Sequence, residues 1–326
     1  MFIGVKLKMK KLLITGGSGL VGSAIKNIIT KTTQQSYHPI FITSTEYDLT
    51  NLEQTQQMFK IHKPSQVIHL AACVGGLYKN MNFKVDMLEK NLLINFNVVK
   101  CCHEYKVEKL IACLSTCIFP DNTSYPINEE MLHNGPPHNS NDAYAYAKRM
   151  LEIQCSAYRE NYGDKFVCVI PTNIYGPHDN FHLEDGHVIP SLINKCYLAK
   201  QQNKPFVVRG SGTPLRQFIY AEDLAKLIMW TLENVDDKSL ILSVGEKDEV
   251  TIGNVARLIA KAFDYETQMC FDMSFSDGQY KKTADNGKLV KMMELLNDSA
   301  PEFTPIEKGI NMTVHWFTQN YDKARK

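Results

Sequence analysis

The chain has 326 residues, of which 44% are hydrophobic, and its formal net charge is +1. This length is enough for a large core and for two lobes of one compact unit. The balanced charge, without any block of like charge, argues against a nucleic-acid or membrane surface, and no apolar run reaches the roughly 20 residues that span a bilayer. Segment 1–11 alternates Lys with apolar residues and has no long apolar stretch, so we do not expect a signal peptide.

Nine cysteines are scattered along the chain without the spacing of a disulfide framework. This pattern is typical of reduced thiols and predicts a cytoplasmic protein. Cys113 and Cys117 are separated by three residues, but no second Cys or His pair completes four ligands. We therefore predict no metal site.

The first element is an apolar run at 10–15, which leads into a glycine-rich turn and then into apolar residues at helical spacing over 23–31. A strand, a glycine turn and a helix form the context of a dinucleotide-binding fingerprint. Gly16 permits a tight turn, Gly19 lets the backbone approach a pyrophosphate, and Gly22 allows close packing of helix on strand. The spacing is G-x-x-G-x-x-G, and a glycine turn without a ligand is the alternative interpretation.

The second predicted strand, at 40–43, indicates which dinucleotide is bound. An NAD-specific site has an acidic residue at the end of this strand, where it binds the 2′-hydroxyl of the ribose. Here Ser44 and Thr45 occupy that place, and the first acidic residue is Glu46. A 2′-phosphate would not be repelled, so the sequence predicts NADP, although no Arg stands nearby to bind the phosphate.

Strands and helices continue to alternate up to residue 177, which predicts an α/β fold with a Rossmann-type, doubly wound parallel sheet. We expect Asp48 to cap the second helix. The later predicted strands of this part lie at 67–72, 109–114 and 166–170, and the later predicted helices at 86–105 and 143–162.

Beyond Pro177 the chain becomes a polar loop rich in His and acidic residues, which fits either metal ligands or hydrogen bonds to a polar substrate. The predicted helices that follow lie at 188–200, 222–234, 252–263 and 306–322, and the predicted strands at 206–209 and 240–244. We therefore expect an NADP-binding Rossmann domain at 1–177, which also receives parts of about 218–250, and a mainly substrate-binding lobe at 178–326.

Tyr144 and Lys148 are four residues apart on a predicted helix, so their side chains lie on one face, one turn from each other. An ammonium beside a phenol favours the phenolate, so we expect the pKa of Tyr144 to lie below about 10. Such a pair can move a proton on or off a sugar oxygen near neutral pH. An exposed helix face without function is the alternative.

Ser115 and Cys117 follow the strand at 109–114, at the edge where open α/β sheets bind ligands, although they also suit a simple cap.

Together these motifs resemble the extended short-chain dehydrogenase/reductase family, over about residues 10–326. The resemblance is carried by the glycine turn, Ser115-Thr116-Cys117, Tyr144-x-x-x-Lys148, the stretches 170–181 and 185–190, and Ser276-Asp277-Gly278-Gln279. It implies a Rossmann-type sheet with a smaller C-terminal substrate lobe. It further implies a member that converts GDP-4-keto-6-deoxy-D-mannose to GDP-L-fucose, by epimerisation at C3 and C5 and then NADPH-dependent reduction at C4.

The resemblance also implies a role for individual residues. Cofactor contacts are implied for Gly16, Gly17, Ser18, Gly19, Leu20, Val21, Gly22, Lys148, Pro171, Thr172, Asn173, Ile174 and His187. Ser115, Tyr144 and Lys148 match the reductase triad, and Cys117 and His187 match the acid/base pair of the epimerisation. Lys195, Arg209, Arg216 and Asp277 fall where the family binds the GDP-sugar, although position 209 is typically aromatic there.

The family also implies a homodimer, because helices corresponding to 86–105 and 143–162 pack against a second copy. Other functions stay open at this point. A nucleotide-sugar 4-epimerase or another reductase of the same family shares the Tyr–Lys pair, whereas a 4,6-dehydratase would have acidic residues where this chain has Ser115-Thr116-Cys117. A catalytically silent NADP-binding protein is a further alternative, but such proteins usually lose the Tyr or the Lys, and this chain keeps both.

Overall fold

A computed structural model of the chain describes residues 9–31, 36–275, 277 and 279–326. The expectations that concern segment 1–8, Ser276 and Gly278 lie outside the described residues. The ten helices of the described part are α1 Leu20–Lys31, α2 Leu52–His62, α3 Leu77–Asn82, α4 Lys84–Glu104, α5 Asp142–Tyr162, α6 Val188–Gln201, α7 Ala221–Asn234, α8 Ile252–Ala262, α9 Gly287–Leu295 and α10 Ile306–Gln319.

The twelve strands of the same part are β1 Lys10–Thr15, β2 Tyr37–Ile42, β3 Gln66–His69, β4 Lys109–Cys113, β5 Phe166–Pro171, β6 Asn173–Tyr175, β7 Phe206–Arg209, β8 Leu215–Arg216, β9 Phe218–Tyr220, β10 Ser239–Leu242, β11 Val250–Thr251 and β12 Met269–Asp272. Six of them form one parallel sheet in the order β10-β5-β4-β3-β1-β2. The predicted α/β fold with a doubly wound parallel sheet is confirmed.

Both faces of this sheet are covered, because successive strand residues point to opposite sides. Leu13 packs on one side in a cluster with residues of α2, α4 and α5, whereas Leu12 and Ile14 pack on the other with residues of α1 and α7. A third buried cluster joins α6, α8 and α10 to β7 in the smaller lobe. Within the described residues, no helix combines the length and the hydropathy that crossing a membrane requires.

Two local expectations are wrong. The third strand ends at His69 rather than at residue 72, because the chain then turns onto the Thr15 side chain. The amides of Leu70 and Ala71 both donate to the Thr15 hydroxyl at 3.2 Å, and the Leu70 amide is shared with the Thr15 carbonyl at 3.3 Å. Asn51, not Asp48, caps α2: its side chain accepts from the amide of Gln54 at 3.1 Å, while Asp48 binds the amide and hydroxyl of Thr50. The elements that were not predicted are α3, α9, β6, β8, β9, β11 and β12.

The side chain of Gln217 connects two segments that are distant in the sequence, near residues 244 and 284. It is fully buried, its Nε2 donates to the carbonyls of Val244 and Ala284 at 3.0 and 3.1 Å, and its Oε1 accepts from the amide of Ala284 at 2.8 Å. Gln217→Leu would leave these buried backbone groups without partners, so we expect the free energy of unfolding to fall by roughly 2–4 kcal/mol. Denaturant titration measures this.

The exposed Gln201, at the end of α6, gives the matched control. Gln201→Leu should change the free energy of unfolding by less than about 0.5 kcal/mol. Equal effects of the two substitutions would contradict a role for the Gln217 amide.

Candidate active site

A single cleft of about 720 Å³ collects most of the residues identified from the sequence. It lies at the carboxyl ends of the sheet strands, where open α/β folds bind ligands. The identified residues that line it are Gly16, Ser18, Gly19, Leu20, Val21, Gly22, Ser115, Tyr144, Lys148, Pro171, Thr172, Asn173, Ile174, His187 and Arg216. Gly17, Cys117, Lys195, Arg209 and Asp277 lie outside this lining.

The glycine turn joins β1 to α1 as predicted, and its shape leaves no room for side chains. Gly16 has a φ of +69°, and a Cβ on Gly22 would come within 2.5 Å of the Gly16 oxygen. The helix therefore begins directly on the turn, with the free N–H groups of its first residues toward the cleft. Gly17 faces away, because its amide donates to Ile42 of β2 at 2.8 Å.

Two observations fit a dinucleotide in this cleft. The N-terminus of α1 suits a diphosphate, because its unpaired N–H groups and dipole favour an anion. On the opposite wall, the hydroxyl of Thr172 is buried and has no hydrogen-bond partner among the described residues. A buried hydroxyl without a partner is costly, so it suits a polar group of a ligand.

The end of β2 presents hydroxyl groups to the cleft, through Thr43 and Ser44. Glu46 is occupied locally: its Oε2 accepts from the amide and the hydroxyl of Thr43, both at 2.8 Å, and these bonds lower the pKa of Glu46. Asp48 also lines the cleft, with its Oδ1 held by Thr50 at 2.7 Å. Sequence reasoning missed Asp48 as a cleft residue, since it treated this carboxylate only as a helix cap.

The Tyr144–Lys148 pair lies on one face of α5, but its electrostatics differ from the expectation. Lys148 is 2% exposed, and its Nζ donates to the carbonyl of Cys113 at 2.7 Å, 5.9 Å from the centre of the Tyr144 ring. Burial raises the pKa of Tyr144 well above its usual value and lowers the pKa of Lys148. The predicted lowering of the phenol pKa is therefore wrong, because burial dominates and the Lys148 ammonium is bound to a backbone carbonyl instead.

Ser115 and Cys117 lie at the end of β4, in a short 3-10 turn. The amide of Cys117 donates to the Ser115 hydroxyl at 3.4 Å, and Cys117 is 7% exposed. Burial raises the pKa of the Cys117 thiol, while the ammonium of Lys282 is the largest influence in the opposite direction. Sequence reasoning missed Lys282, because a Lys281-Lys282 pair has the pattern of an ordinary exposed segment.

His187 precedes α6 and its exposed side chain lines the cleft. Arg216 lines it as well, while its guanidinium donates to the backbone oxygens of Leu215 at 2.7 Å and Gln279 at 2.6 Å. Arg216 therefore also anchors the segment near residue 279 to the cleft wall. Among the described residues, no cluster of His, Cys, Asp and Glu is arranged to hold a metal ion.

The other residues implied in substrate binding lie together in the smaller lobe. Arg209 stacks 4.6 Å from the ring centre of Phe275 and pairs with Glu184 at 3.4 Å. Burial and the charge of Arg209 both lower the pKa of Lys195, which places these two cations close together. Asp277 accepts from the amide and the hydroxyl of Ser211, at 2.9 and 2.5 Å.

The parallel sheet, the glycine turn and the Tyr–Lys helix define a nucleotide-dependent dehydrogenase or epimerase of the Rossmann type. Residues 12–245 match the model of the NAD dependent epimerase/dehydratase family. The chain belongs to this family, and its resemblance to extended short-chain dehydrogenases/reductases is confirmed.

Individual relatives are more specific. A GDP-L-fucose synthase of Dictyostelium discoideum is 53% identical over 97% of this chain and 98% of the relative. A probable GDP-L-fucose synthase of Drosophila melanogaster is 50% identical over 98% of this chain and 100% of the relative. The crystal structure of a GDP-L-fucose synthetase from Naegleria fowleri bound to NADP has a TM-score of 0.90 and 47% identity, with 97% of this chain and 95% of that chain covered.

The charge beside Cys117 yields a test. Lys282→Met removes the main group that favours the thiolate, so the pKa of Cys117 should rise further and its alkylation by iodoacetamide should require a higher pH. Mass spectrometry of the Cys117 peptide between pH 7 and 10 measures the midpoint. Lys281→Met is the control, because Lys281 instead pairs with Glu246 and Glu249, at 3.7 and 3.6 Å. Identical midpoints for Lys282→Met and the wild type would refute this assignment.

Proposed function

We propose that the protein is a bifunctional epimerase-reductase that converts GDP-4-keto-6-deoxy-D-mannose to GDP-L-fucose with NADPH. The observation that carries the proposal is the meeting of Ser115, Tyr144, Lys148 and His187 on one cleft, with Cys117 in the turn directly after Ser115. The names of the relatives agree with it, at up to 53% identity over nearly the whole chain.

The cofactor is NADP, which the glycine turn, Lys148 and the segment 171–174 would hold, with His187 near its nicotinamide. The crystal structure of the Naegleria fowleri relative, which is bound to NADP, supports this assignment. NADPH, when bound, supplies the hydride for C4 of the sugar. The Thr172 hydroxyl, which has no partner among the described residues, gains a polar ligand group in this arrangement.

In the epimerisation, the C4 ketone acidifies the two neighbouring carbons, C3 and C5. The Cys117 thiolate and the His187 imidazole remove and return protons there, as a base and an acid. Ser115 and Tyr144 donate hydrogen bonds to the ketone oxygen as its negative charge develops. Lys282 favours the thiolate that this step needs.

In the reduction, Tyr144 protonates the C4 oxygen. The raised pKa of Tyr144 suits this role, because the phenol is fully protonated at neutral pH and is available as a donor. Lys148 is anchored by Cys113 at the end of β4, and it holds its charge beside the same face of α5.

The proposal divides the chain between two tasks. Residues 1–177, with parts of about 218–250, bind NADP, which the pairing of β10 with β5 in the main sheet supports. Residues 178–326 mainly bind the substrate, and Lys195, Arg209 and Asp277 in the smaller lobe contact the GDP part. The nine free cysteines of the chain support a reducing, cytoplasmic compartment.

The protein is also proposed to be a homodimer. Helices α4 and α5 pack together and expose apolar side chains, among them Leu93, Phe96, Met150 and Ile153. Ile94 of α4 is partly buried and packs against the core instead. A two-fold contact between the exposed sets on two copies would bury them.

Substitutions in the catalytic groups should separate the two half-reactions. Wild-type protein should oxidise NADPH only with the 4-keto-6-deoxy substrate and, in heavy water, place deuterium at C3 and C5. Tyr144→Phe removes the proton donor, so reduction should fall roughly 10²–10⁴-fold while NADPH still binds. Cys117→Ser replaces the thiol by a far weaker base, so exchange should be lost while NADPH and substrate bind normally.

Mass spectrometry and NMR locate the label, and NADPH absorbance follows the reduction. Deuterium at both carbons in Cys117→Ser at the wild-type rate would show that another group is the base. Absence of NADPH oxidation by the wild type would refute the proposed function itself.

Introducing charged side chains into the exposed faces of α4 and α5 tests the proposed homodimer. Phe96→Lys combined with Ile153→Lys would bury ammonium groups in the proposed contact, so the dimer should dissociate at micromolar concentration. Sedimentation velocity measures the mass. Leu295→Lys on α9, which is also strongly exposed, is the control and should remain a dimer. A wild-type monomer at micromolar concentration would exclude this assembly.

A further inference from the structure

Asp179 is a buried carboxylate in the wall of the cleft for which the mechanism above has no role. It is 4% exposed, and its Oδ1 accepts from the amide of Asn180 at 2.7 Å. Its Oδ2 is buried and has no hydrogen-bond partner among the described residues. The residue before it, His178, has a φ of +68°, in the left-handed region that side chains rarely adopt. The loop therefore carries both a strained backbone and an unpaired buried oxygen.

Such a feature costs stability, because a buried carboxylate loses its hydration without full compensation. Burial raises the pKa of Asp179 to about 6, and the charge of His187 is the largest influence against that rise. Because the folded pKa lies above the unfolded value of about 3.9, ionised Asp179 destabilises the fold increasingly as the pH rises from about 4 to about 6. Unfavourable features of this kind concentrate at functional sites.

We infer that Asp179 is a positioning residue, which stabilises the protonated imidazole of His187 and orients it toward the substrate. The inference rests on the proposed function. When His187 gives its proton to the substrate carbon, an N–H bond breaks and a C–H bond forms, while Asp179 stays a carboxylate throughout. Its unpaired Oδ2 accepts the imidazole N–H in this arrangement, as carboxylates do beside catalytic histidines.

Other charged groups lie around Asp179 and His187. Arg325 of the C-terminal segment attracts Asp179, but its guanidinium donates to the carbonyl of His178 at 2.9 Å. Lys79 of α3 and Lys148 of α5 line the same cleft, where their positive charges oppose a protonated imidazole. Asp185 and Tyr144 also line it, but Asp185 is partly exposed and the raised pKa of Tyr144 keeps its phenol neutral.

Asp179→Asn isolates the charge, because it keeps an oxygen that can accept from the Asn180 amide. The variant should be at least as stable to heat as the wild type at pH 7, since it removes an unfavourable buried charge. Exchange of deuterium into C3 and C5 of the 4-keto substrate, measured without NADPH, should fall about 10- to 10²-fold. Oxidation of GDP-L-fucose by NADP, which tests only the reductase step, should stay within about threefold.

The pH dependence supplies a readout that needs no variant. In the wild type, exchange should fall as the pH drops through about 6, because Asp179 takes up a proton and no longer supports the imidazolium. Asp179→Asn should lack this inflection. Asp185→Asn is the control: this residue lies in the same loop and lines the same cleft, and its exchange rate and inflection should match the wild type within about twofold.

Several outcomes would overturn the inference. These are exchange by Asp179→Asn at the wild-type rate, an equal loss of exchange and of GDP-L-fucose oxidation, or a wild-type profile without an inflection near pH 6. The last decides the question even if the variant does not fold. A wild type that neither exchanges deuterium nor oxidises NADPH would instead refute the proposed function, and the inference with it.

Discussion

A buried chain of hydrogen bonds fixes the distance between the glycine turn and the catalytic helix. The hydroxyl of Thr15, the last residue of β1, lies 2.8 Å from Nδ1 of His69 at the end of β3. Nε2 of His69 lies 3.1 Å from the Asn95 side chain on α4, which in turn donates to the carbonyl of Ala147 on α5, at 3.4 Å. Burial and the charge of Lys148 lower the pKa of His69 to about 3. The chain of bonds is therefore neutral at physiological pH, and it connects four of the elements beside the cleft, β1, β3, α4 and α5.

Burial also decides the protonation of the groups beside this chain. It raises the pKa of Tyr144 and of Cys117 and lowers the pKa of Lys148, and desolvation is the largest cause in each case. A phenol that stays protonated suits proton donation in a reduction. A thiol with a raised pKa is a poor base for a carbon-bound proton unless a cation favours the thiolate, and the charge of Lys282 opposes the effect of burial in part. One buried site can therefore serve both the reduction and the epimerisation, because the reduction uses the Tyr144 phenol and the epimerisation uses the Cys117 thiol.

The division of the chain between the sheet and the smaller lobe has a topological cause. After β6 the chain builds α6 and β7 and then returns, so that β10 pairs with β5 at the edge of the main sheet. Several residues between these points, among them Asp179, His187 and Arg216, line the cleft. The Gln217 side chain stabilises this arrangement through hydrogen bonds to backbone groups of Val244 and Ala284. The cleft is thus closed by segments that lie far apart in the sequence.

The sequence by itself determined the features that depend on close neighbours. The glycine turn, the Tyr144-x-x-x-Lys148 face and the strand end at Ser115-Thr116-Cys117 each lie within one turn or one strand end, so residue type and spacing specify them. Only the tertiary structure decided the direction of the pKa shifts of Cys117 and Tyr144. Lys282 reaches Cys117 across 165 positions of the chain. The sign of the Tyr144 pKa shift likewise follows from desolvation by the folded core, which no spacing of residues along the chain expresses.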